Sequence, residues 1–126
     1  MEIRTEIMTT GQIAERLVEL CRQGKFENAQ KELYADDALS MEPRETPGFS
    51  KETRGLHAII EKWEKFASMV DAVNRVTVSS PLTAVNSIAF AMGFDMTMKG
   101  QKRSLAKELC MYQVKNGKIA SEQFFI

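Results

Sequence analysis

The last third of the chain most limits its fold, because three alternating segments follow one another with only short turns between them. Residues 84–99 and 103–115 alternate apolar and polar side chains around a turn at Gly100, and Asn116-Gly117 precedes a final alternating segment at residues 118–126. Such alternation is typical of strands with one covered face, and Asn-Gly is a strong signal for a two-residue hairpin. Strands joined this closely pair with antiparallel neighbours. The segments therefore predict a β meander.

The preceding residues carry helical patterns instead. Thr9 and Gln12 stand at the spacing of a capping box, ahead of apolar residues at helical intervals. A short second helix is predicted at residues 26–33 and a third after Gly55, and the β-branched residues 73–79 predict a strand that leads into the meander. Helices before a meander predict an α+β domain, with three helices packed on one face of an antiparallel sheet.

Length and charge exclude several classes of protein. The 126 residues suffice for one domain, which we place at residues 9–126 after a flexible segment at residues 1–8. Lys plus Arg and Asp plus Glu number 17 each, so the basic excess of a general nucleic-acid binder is missing. The chain also has no apolar run near the roughly 20 residues of a membrane span, and no apolar signal peptide after Met1. We expect a cytoplasmic protein that binds neither nucleic acid nor membrane.

The scarcity of histidine narrows the chemistry further. His57 is the sole histidine, which excludes a zinc site built from several imidazoles, and the sequence has no glycine-rich nucleotide motif and no calcium loop. Cys21 and Cys110 are far apart in sequence, and we expect both to be buried, reduced thiols. We therefore expect no metal and no other cofactor. Any chemistry has to depend on carboxylates, lysine, tyrosine and the shape of a pocket.

The alternation also predicts which face of the sheet is covered. Large apolar residues of the first long strand share one face, and a two-residue turn at Gly100-Gln101 places odd-numbered residues of the next strand beside them. Pairing across Asn116-Gly117 then adds even-numbered residues of the last strand. The eight methionines suit either a filled core or an irregular cavity. With two helical residues included, the predicted pocket lining is Leu17, Trp63, Phe90, Met92, Phe94, Met96, Leu109, Met111, Gln113, Phe124 and Ile126.

Two opposite charges, Lys107 and Glu122, fall on this predicted apolar face. A lone buried charge is strongly unfavourable, so the two side chains pair with each other, reach solvent at the rim of the sheet, or meet a ligand. The opposite face combines small and aromatic residues and predicts an association surface. Its members are Ala89, Ala91, Gly93, Cys110, Tyr112 and Phe125.

Three segments resemble one protein family. Tyr34-Ala35-Asp36-Asp37-Ala38-Leu39-Ser40-Met41-Glu42-Pro43 is similar to the segment that leads into the catalytic base of ketosteroid isomerases, within the NTF2-like superfamily. Gly55-Leu56-His57-Ala58-Ile59-Ile60 and Lys115-Asn116-Gly117-Lys118-Ile119 also resemble that pattern, and the wider match, over residues 9–126, is to SnoaL-like proteins. The resemblance implies a cone in which three helices and a curved sheet enclose a pocket. It also implies homodimers formed through the outer sheet face.

The resemblance implies roles for a few residues. Glu42 stands where the isomerases have their aspartate base, just before a proline, whereas Leu17 and Leu109 stand where they have the two oxyanion donors. Because such donors typically contribute a factor of about 10²–10³ each, steroid isomerisation is not expected.

Two functions from different classes remain open. In the first, the pocket binds a small apolar or carbonyl-containing molecule and acts as an isomerase, cyclase or lyase. Glu42 then removes a proton, Lys107 binds the developing anion, and Glu122 orients Lys107. In the second, the domain is a non-catalytic ligand-binding or dimeric scaffold module, and Glu42 is a solvated loop residue. An open cavity lined by Glu42 and Lys107 favours the first function, and a filled interior favours the second.

Overall fold

The computed structural model describes residues 7–126, which form three helices and a seven-stranded sheet. The helices are α1 (Thr10–Arg22), α2 (Phe26–Leu33) and α3 (Leu56–Ser68). The strands are β1 (Tyr34–Met41), β2 (Glu52–Arg54), β3 (Val70–Val78), β4 (Leu82–Ala84), β5 (Ser87–Met98), β6 (Arg103–Lys115) and β7 (Lys118–Phe125). Most of the segment predicted to be flexible, residues 1–6, lies outside the described residues, whereas Met8 packs against the core.

The capping box predicted at the first helix is present. The Thr9 hydroxyl accepts a hydrogen bond from the Gln12 backbone N–H at 3.2 Å, and the Gln12 side-chain oxygen accepts one from the Thr9 N–H at 2.9 Å. The inner face of α1 is fully buried at Ile13 and Leu17. Among the described residues, no helix is long and apolar enough to cross a membrane.

The sheet confirms the α+β prediction and adds one pairing that the sequence did not indicate. Its strand order is β2-β1-β7-β6-β5-β3, and β4 pairs with one end of β5. Neighbouring strands are antiparallel except β1 and β7, which run parallel. The third helix follows Gly55, as predicted, and comes between β2 and β3. The parallel pair brings the strand after α2 beside the end of the chain.

The predicted register between β5 and β6 is wrong by one residue. The hairpin has a three-residue loop, Lys99-Gly100-Gln101, in which Gly100 has a φ of +75° and the Gln101 N–H donates to the Met98 carbonyl at 3.0 Å. Three-residue hairpins commonly need glycine at such a left-handed position. Met92 therefore pairs with Glu108. As a result, Lys107, Leu109, Met111 and Gln113 lie on the outer face, and Cys110 and Tyr112 lie on the inner face.

A second shift, between β6 and β7, compensates for the first. The Asn116-Gly117 hairpin pairs Val114 with Ile119 as predicted, but a bulge follows, and Tyr112 then pairs with Glu122. Each shift of one residue exchanges the two faces of a strand, so two shifts restore the original face. Glu122 and Phe124 consequently reach the inner face, as the sequence predicted. The pairing that brings them there was not predicted.

The core lies between the inner face of the sheet and the helices. Its fully buried side chains come from every layer and include Ile13, Leu17, Leu33, Ile59, Ile88 and Ile119. Near β4 and the β6–β7 hairpin, the buried side chains of Ile88, Val114 and Ile119 fill the space between the layers. Toward the other end, where α3 faces β5 and β6, the space between the layers stays open and forms a cavity.

Candidate active site

The cavity has a volume of about 270 Å³ and opens between the helices and the inner face of the sheet. Its lining residues are Leu17, Cys21, Phe26, Ala29, Gln30, Tyr34, Glu42, Lys62, Trp63, Phe66, Met92, Phe94, Met96, Ala106, Glu108, Tyr112, Glu122 and Phe124. The set is apolar and aromatic, with a small polar cluster on one side. This combination is typical of sites for small organic molecules.

The predicted site residues divide into two groups. The structure brings Leu17, Trp63, Met92, Phe94, Met96, Phe124, Glu42 and Glu122 to the cavity. Phe90 shares that face of β5 but is buried in the core. Lys107, Leu109, Met111 and Gln113 lie on the outer face because of the register shift, and Ile126 follows the end of β7 and is 85% exposed. Lys107 therefore has no contact with the cavity and cannot pair with Glu122 there.

Four aromatic rings form one wall of the cavity. Phe26 and Trp63 have ring centroids 4.9 Å apart, Phe26 and Phe94 are 5.8 Å apart, and Trp63 and Phe66 are 5.9 Å apart. These spacings are typical of favourable tilted aromatic contacts. We call Phe26, Trp63, Phe66 and Phe94 the aromatic wall.

Glu122 is the most deeply buried acid of the site, with only 3% of its surface exposed. It pairs with Ser40 across the parallel strands β1 and β7, and the Ser40 hydroxyl donates to its Oε2 at 2.6 Å. The Tyr34 hydroxyl donates a short hydrogen bond to Oε1. Burial raises the pKa of Glu122, and the hydrogen bonds from Ser40 and Tyr34 partly oppose that rise. Both carboxyl oxygens therefore have donors, and Glu122 is fixed in place.

Lys62 on α3 links Glu122 to a second acid. Its ammonium donates to the Ser40 hydroxyl at 2.6 Å and to Glu42 Oε1 at 3.1 Å. The Glu42 backbone is held at the end of β1, where its N–H donates to the Lys51 carbonyl at 2.7 Å. Glu42 thus faces the cavity as one end of a hydrogen-bonded series that runs through Lys62 and Ser40 to Glu122.

Glu108 is the third acid, on β6 opposite Met92. Burial, and then the negative charge of Glu42, raise its pKa from 4.5 to about 7. Lys62 and a weak hydrogen bond from the Cys110 thiol, at 3.7 Å, oppose that rise. A carboxyl group with a pKa near neutrality is well suited to both accept and return a proton. A two-residue turn at Gly100-Gln101 would bring Lys107 to this face; the loop has three residues, so Glu108 is there instead.

Lys62 and Gln30 were not predicted either. Lys62 was detectable, since Ile59, Lys62, Trp63 and Phe66 have the spacing of one helix face. Gln30 on α2 is only 8% exposed, and its Oε1 accepts no hydrogen bond within the described part of the chain. Sequence gives no signal for such an unpaired group.

The cysteines and the histidine lie outside the polar cluster. Cys21 and Cys110 are buried free thiols, as predicted, and burial raises the pKa of Cys21 to about 12. His57 is on the surface, where its Nε2 lies 2.8 Å from Glu61. Between residues 7 and 126, no three histidine, cysteine, aspartate or glutamate side chains converge as a metal-ligand group.

Comparison with known proteins identifies one family and several structures of the same fold. The family profile of the SnoaL-like domain matches residues 8–126. A candidate SnoaL-like polyketide cyclase from Mesorhizobium loti is 32% identical, with a TM-score of 0.87 over 94% of this chain and 100% of that chain. The search of curated proteins gives no match.

Two more distant structures share the fold. An NTF2-like protein from Burkholderia pseudomallei is 12% identical, with a TM-score of 0.79 over 94% of this chain and 92% of that chain. A protein with a ketosteroid isomerase-like fold from Catenulispora acidiphila, in complex with trimethylamine, is 18% identical. Its TM-score is 0.72 over 94% of this chain and 87% of that chain. At these identities the likeness bears on the fold alone.

Proposed function

Because this chain belongs to the SnoaL-like family, we propose that its cavity binds a small apolar molecule with a carbonyl group and transfers a proton on it. The reaction class is isomerisation or cyclisation by general acid–base catalysis. Glu108 removes a proton from the carbon next to the carbonyl, and the bonding electrons move to the carbonyl oxygen. In an isomerisation, Glu108 then returns the proton to a second carbon of the enolate. In a cyclisation, the enolate carbon first bonds to the carbon of a second carbonyl group, and Glu108 returns the proton to the oxygen of that group. Either route restores the ionisation of the site.

The observation that carries the proposal is the environment of Glu108. Its carboxyl group lies in an apolar cavity beside Met92, and burial raises its pKa to about 7. Carboxyl groups in solution have a pKa near 4.3 and are too weakly basic to remove a proton from carbon efficiently at neutral pH. The buried position of Glu108 raises its basicity to the level that proton removal at neutral pH requires.

Lys62 takes the role expected of Lys107 from the sequence. Its ammonium donates to Ser40 and to Glu42, and a third N–H remains to stabilise negative charge on a carbonyl oxygen. Glu42, the base expected from the resemblance, is engaged by Lys62. We propose that Glu42 orients Lys62 from one side and that Glu122, through Ser40, orients it from the other.

The similarity to the Mesorhizobium loti protein supports a carbonyl-containing substrate, since cyclases of polyketides act on such compounds. The cavity volume of about 270 Å³ lies just below the usual range for sites of drug-sized molecules, so we propose a small ligand. The rival function, ligand binding without catalysis, predicts the same cavity but no proton transfer.

Hydrogen–deuterium exchange tests the proposal with a model ketone. We expect the protein to accelerate exchange at C1 of 2-tetralone in D₂O, followed by proton NMR. Glu108→Gln should lower the rate about 10²-fold or more, and Lys62→Met should also lower it, whereas the outer-face control Lys107→Met should not. Unchanged exchange in Glu108→Gln, with its fold verified by circular dichroism, contradicts the assignment of the base. Binding of 2-tetralone without accelerated exchange favours the non-catalytic function.

We also propose that the outer sheet face forms a homodimer interface. Leu105, Leu109 and Phe125 are exposed there and form an apolar surface around Ala91 and Gly93. Cys110 and Tyr112, which were predicted on this face, are buried on the other. Sedimentation equilibrium should give a dimer for the wild type and a monomer for Leu109→Lys. A monomeric wild type, or an unaffected variant, contradicts the proposal.

A further inference from the structure

We propose that the cavity selects a protonated amine carried on an apolar body, with the ammonium group held between Gln30, the aromatic wall and Glu108. The proposal rests on the proposed function only for the premise that this cavity is the ligand site. It names the class of ligand and assumes no reaction. Three separate features of the lining support it: an excess of acidic groups, a cluster of aromatic rings and a buried oxygen without a hydrogen-bond donor.

The charged groups of the lining favour a cation. Three carboxyl groups, Glu42, Glu108 and Glu122, face the cavity with one amine, Lys62. Lys62 is already engaged by Glu42 and by the Ser40 hydroxyl. An incoming carboxylate meets the negative charges of Glu42 and Glu108 and finds a single remaining N–H on Lys62, which suffices for one carbonyl oxygen. An incoming cation gains a favourable interaction with Glu108, so the lining discriminates against acids.

The aromatic wall adds attraction for a cation at the same place. Phe26 and Trp63 have ring centroids 4.9 Å apart, and Phe94 lies 5.8 Å from Phe26. The faces of such rings attract ammonium groups within about 6 Å. On the sheet, Phe94 pairs with Ala106, two residues before Glu108 on the same face of β6. The rings therefore border the acidic part of the cavity.

Gln30 supplies the matching hydrogen-bond acceptor. It lies one turn after Phe26 on α2, is 8% exposed, and lines the cavity. Its Oε1 is buried and has no donor among residues 7–126. Because buried acceptors in folded proteins nearly always have a donor, we infer that an N–H group of a bound ligand pairs with this oxygen once the amide turns toward the cavity. A primary or secondary ammonium supplies N–H donors that a tertiary amide, ether or ketone lacks.

Binding of an ammonium group should depend on the ionisation of Glu108. The groups that face Glu108 are Glu42 just after β1, Lys62 on α3, Cys110 on its own strand and Glu122 on β7. Ionised Glu108 attracts the ligand and protonated Glu108 does not, while an aliphatic amine stays protonated at neutral pH. The pKa of Glu108 is about 7, so affinity should rise about tenfold from pH 6 to pH 8 and then level off.

Three matched probes test the inference on the intact protein. They are 2-aminotetralin, which is a cation, 2-tetralone, which is neutral, and tetralin-2-carboxylate, which is an anion. Trp63 is the sole tryptophan of the chain and lines the cavity, so its fluorescence reports binding, with calorimetry as a second readout. We expect 2-aminotetralin to bind at least tenfold more tightly than the anion, with affinity rising from pH 6 to pH 8.

Two variants assign the effect to the named residues. Gln30→Met should weaken the binding of 2-aminotetralin about tenfold and leave the affinity for 2-tetralone unchanged. Glu108→Gln should remove the pH dependence, and the outer-face control Lys107→Met should alter neither. The inference is overturned if the anion binds as tightly as the cation, if neither variant changes binding of the amine, or if no probe binds.

The outcomes separate this inference from the proposed function. Amine selectivity without deuterium exchange on 2-tetralone supports the inference and contradicts the function. Exchange on 2-tetralone without amine selectivity supports the function and overturns the inference.

Discussion

Ser40 and Glu122 face each other on the parallel strands β1 and β7, and the Ser40 hydroxyl donates a 2.6 Å hydrogen bond to the Glu122 carboxyl group. The same hydroxyl accepts a hydrogen bond of 2.6 Å from Lys62 on α3. One small side chain thus connects two strands and a helix at the base of the cavity. Its neighbours are charged or ionisable and depend on it for orientation.

Replacing Ser40 by alanine should therefore destabilise the protein. The change leaves one oxygen of buried Glu122 without its donor and removes one partner of Lys62, at a cost of about 1–3 kcal/mol. Urea unfolding measures the loss. Ser104→Ala, on the exposed part of β6, is the control and should change the free energy of unfolding by less than about 0.5 kcal/mol. Equal stabilities of the two variants would show that the Ser40 hydrogen bonds contribute nothing.

Glu108 should make stability fall as the pH rises. Burial raises its pKa from 4.5 to about 7, so the folded state holds the proton more tightly than the unfolded chain. This group contributes its full stability below pH 4.5, and that stability is lost as the pH rises through 7. Between pH 5 and pH 8 the loss amounts to about 2–3 kcal/mol.

The Glu108→Gln variant isolates that contribution, because every other titrating group is shared with the wild type. The free energy of unfolding of the variant, relative to that of the wild type, should be about 2–3 kcal/mol higher at pH 8 than at pH 5. Urea unfolding at both pH values measures the difference. A difference that is the same at both values would mean that Glu108 titrates normally.

Gln30→Met should stabilise the ligand-free protein. The substitution keeps the length of the side chain and removes a buried oxygen that has no donor among residues 7–126. Such an oxygen costs about 1–3 kcal/mol, so the melting temperature should rise by a few degrees. Gln101→Met, in the exposed loop after β5, is the control and should have no such effect. A lower melting temperature for Gln30→Met would mean that the amide makes a structural contact.

The sequence predicted the class of fold well and the site only in part. Alternation and turn residues located the β5–β6–β7 meander, and the capping box located the start of α1. Local patterns determine such elements because the responsible contacts lie close together in sequence. The parallel pairing of β1 with β7 depends on contacts between distant segments, and no local pattern encodes it.

Two single-residue shifts of strand register explain where the predicted site residues differ from those in the structure. The extra residue in the loop at Gly100 exchanged Lys107 for Glu108 at the cavity, and the bulge before Val114 restored Glu122 to the inner face. A turn type depends on small energy differences, yet it reverses every side chain of the strand that follows. Neither shift affects Lys62, which lies on the same helix face as Trp63. Its place in the site could have been predicted from helical spacing alone.

The central claim is that Glu108 faces an apolar cavity and exchanges its proton near neutral pH. A ¹³C NMR titration of the glutamate carboxyl groups tests it most directly, with the Glu108 signal identified by its absence in Glu108→Gln. We expect a midpoint of about 7 for Glu108. A midpoint near the ordinary value of 4.5 would contradict it, because Glu108 would then be a solvated carboxylate without the basicity that the proposed reaction requires.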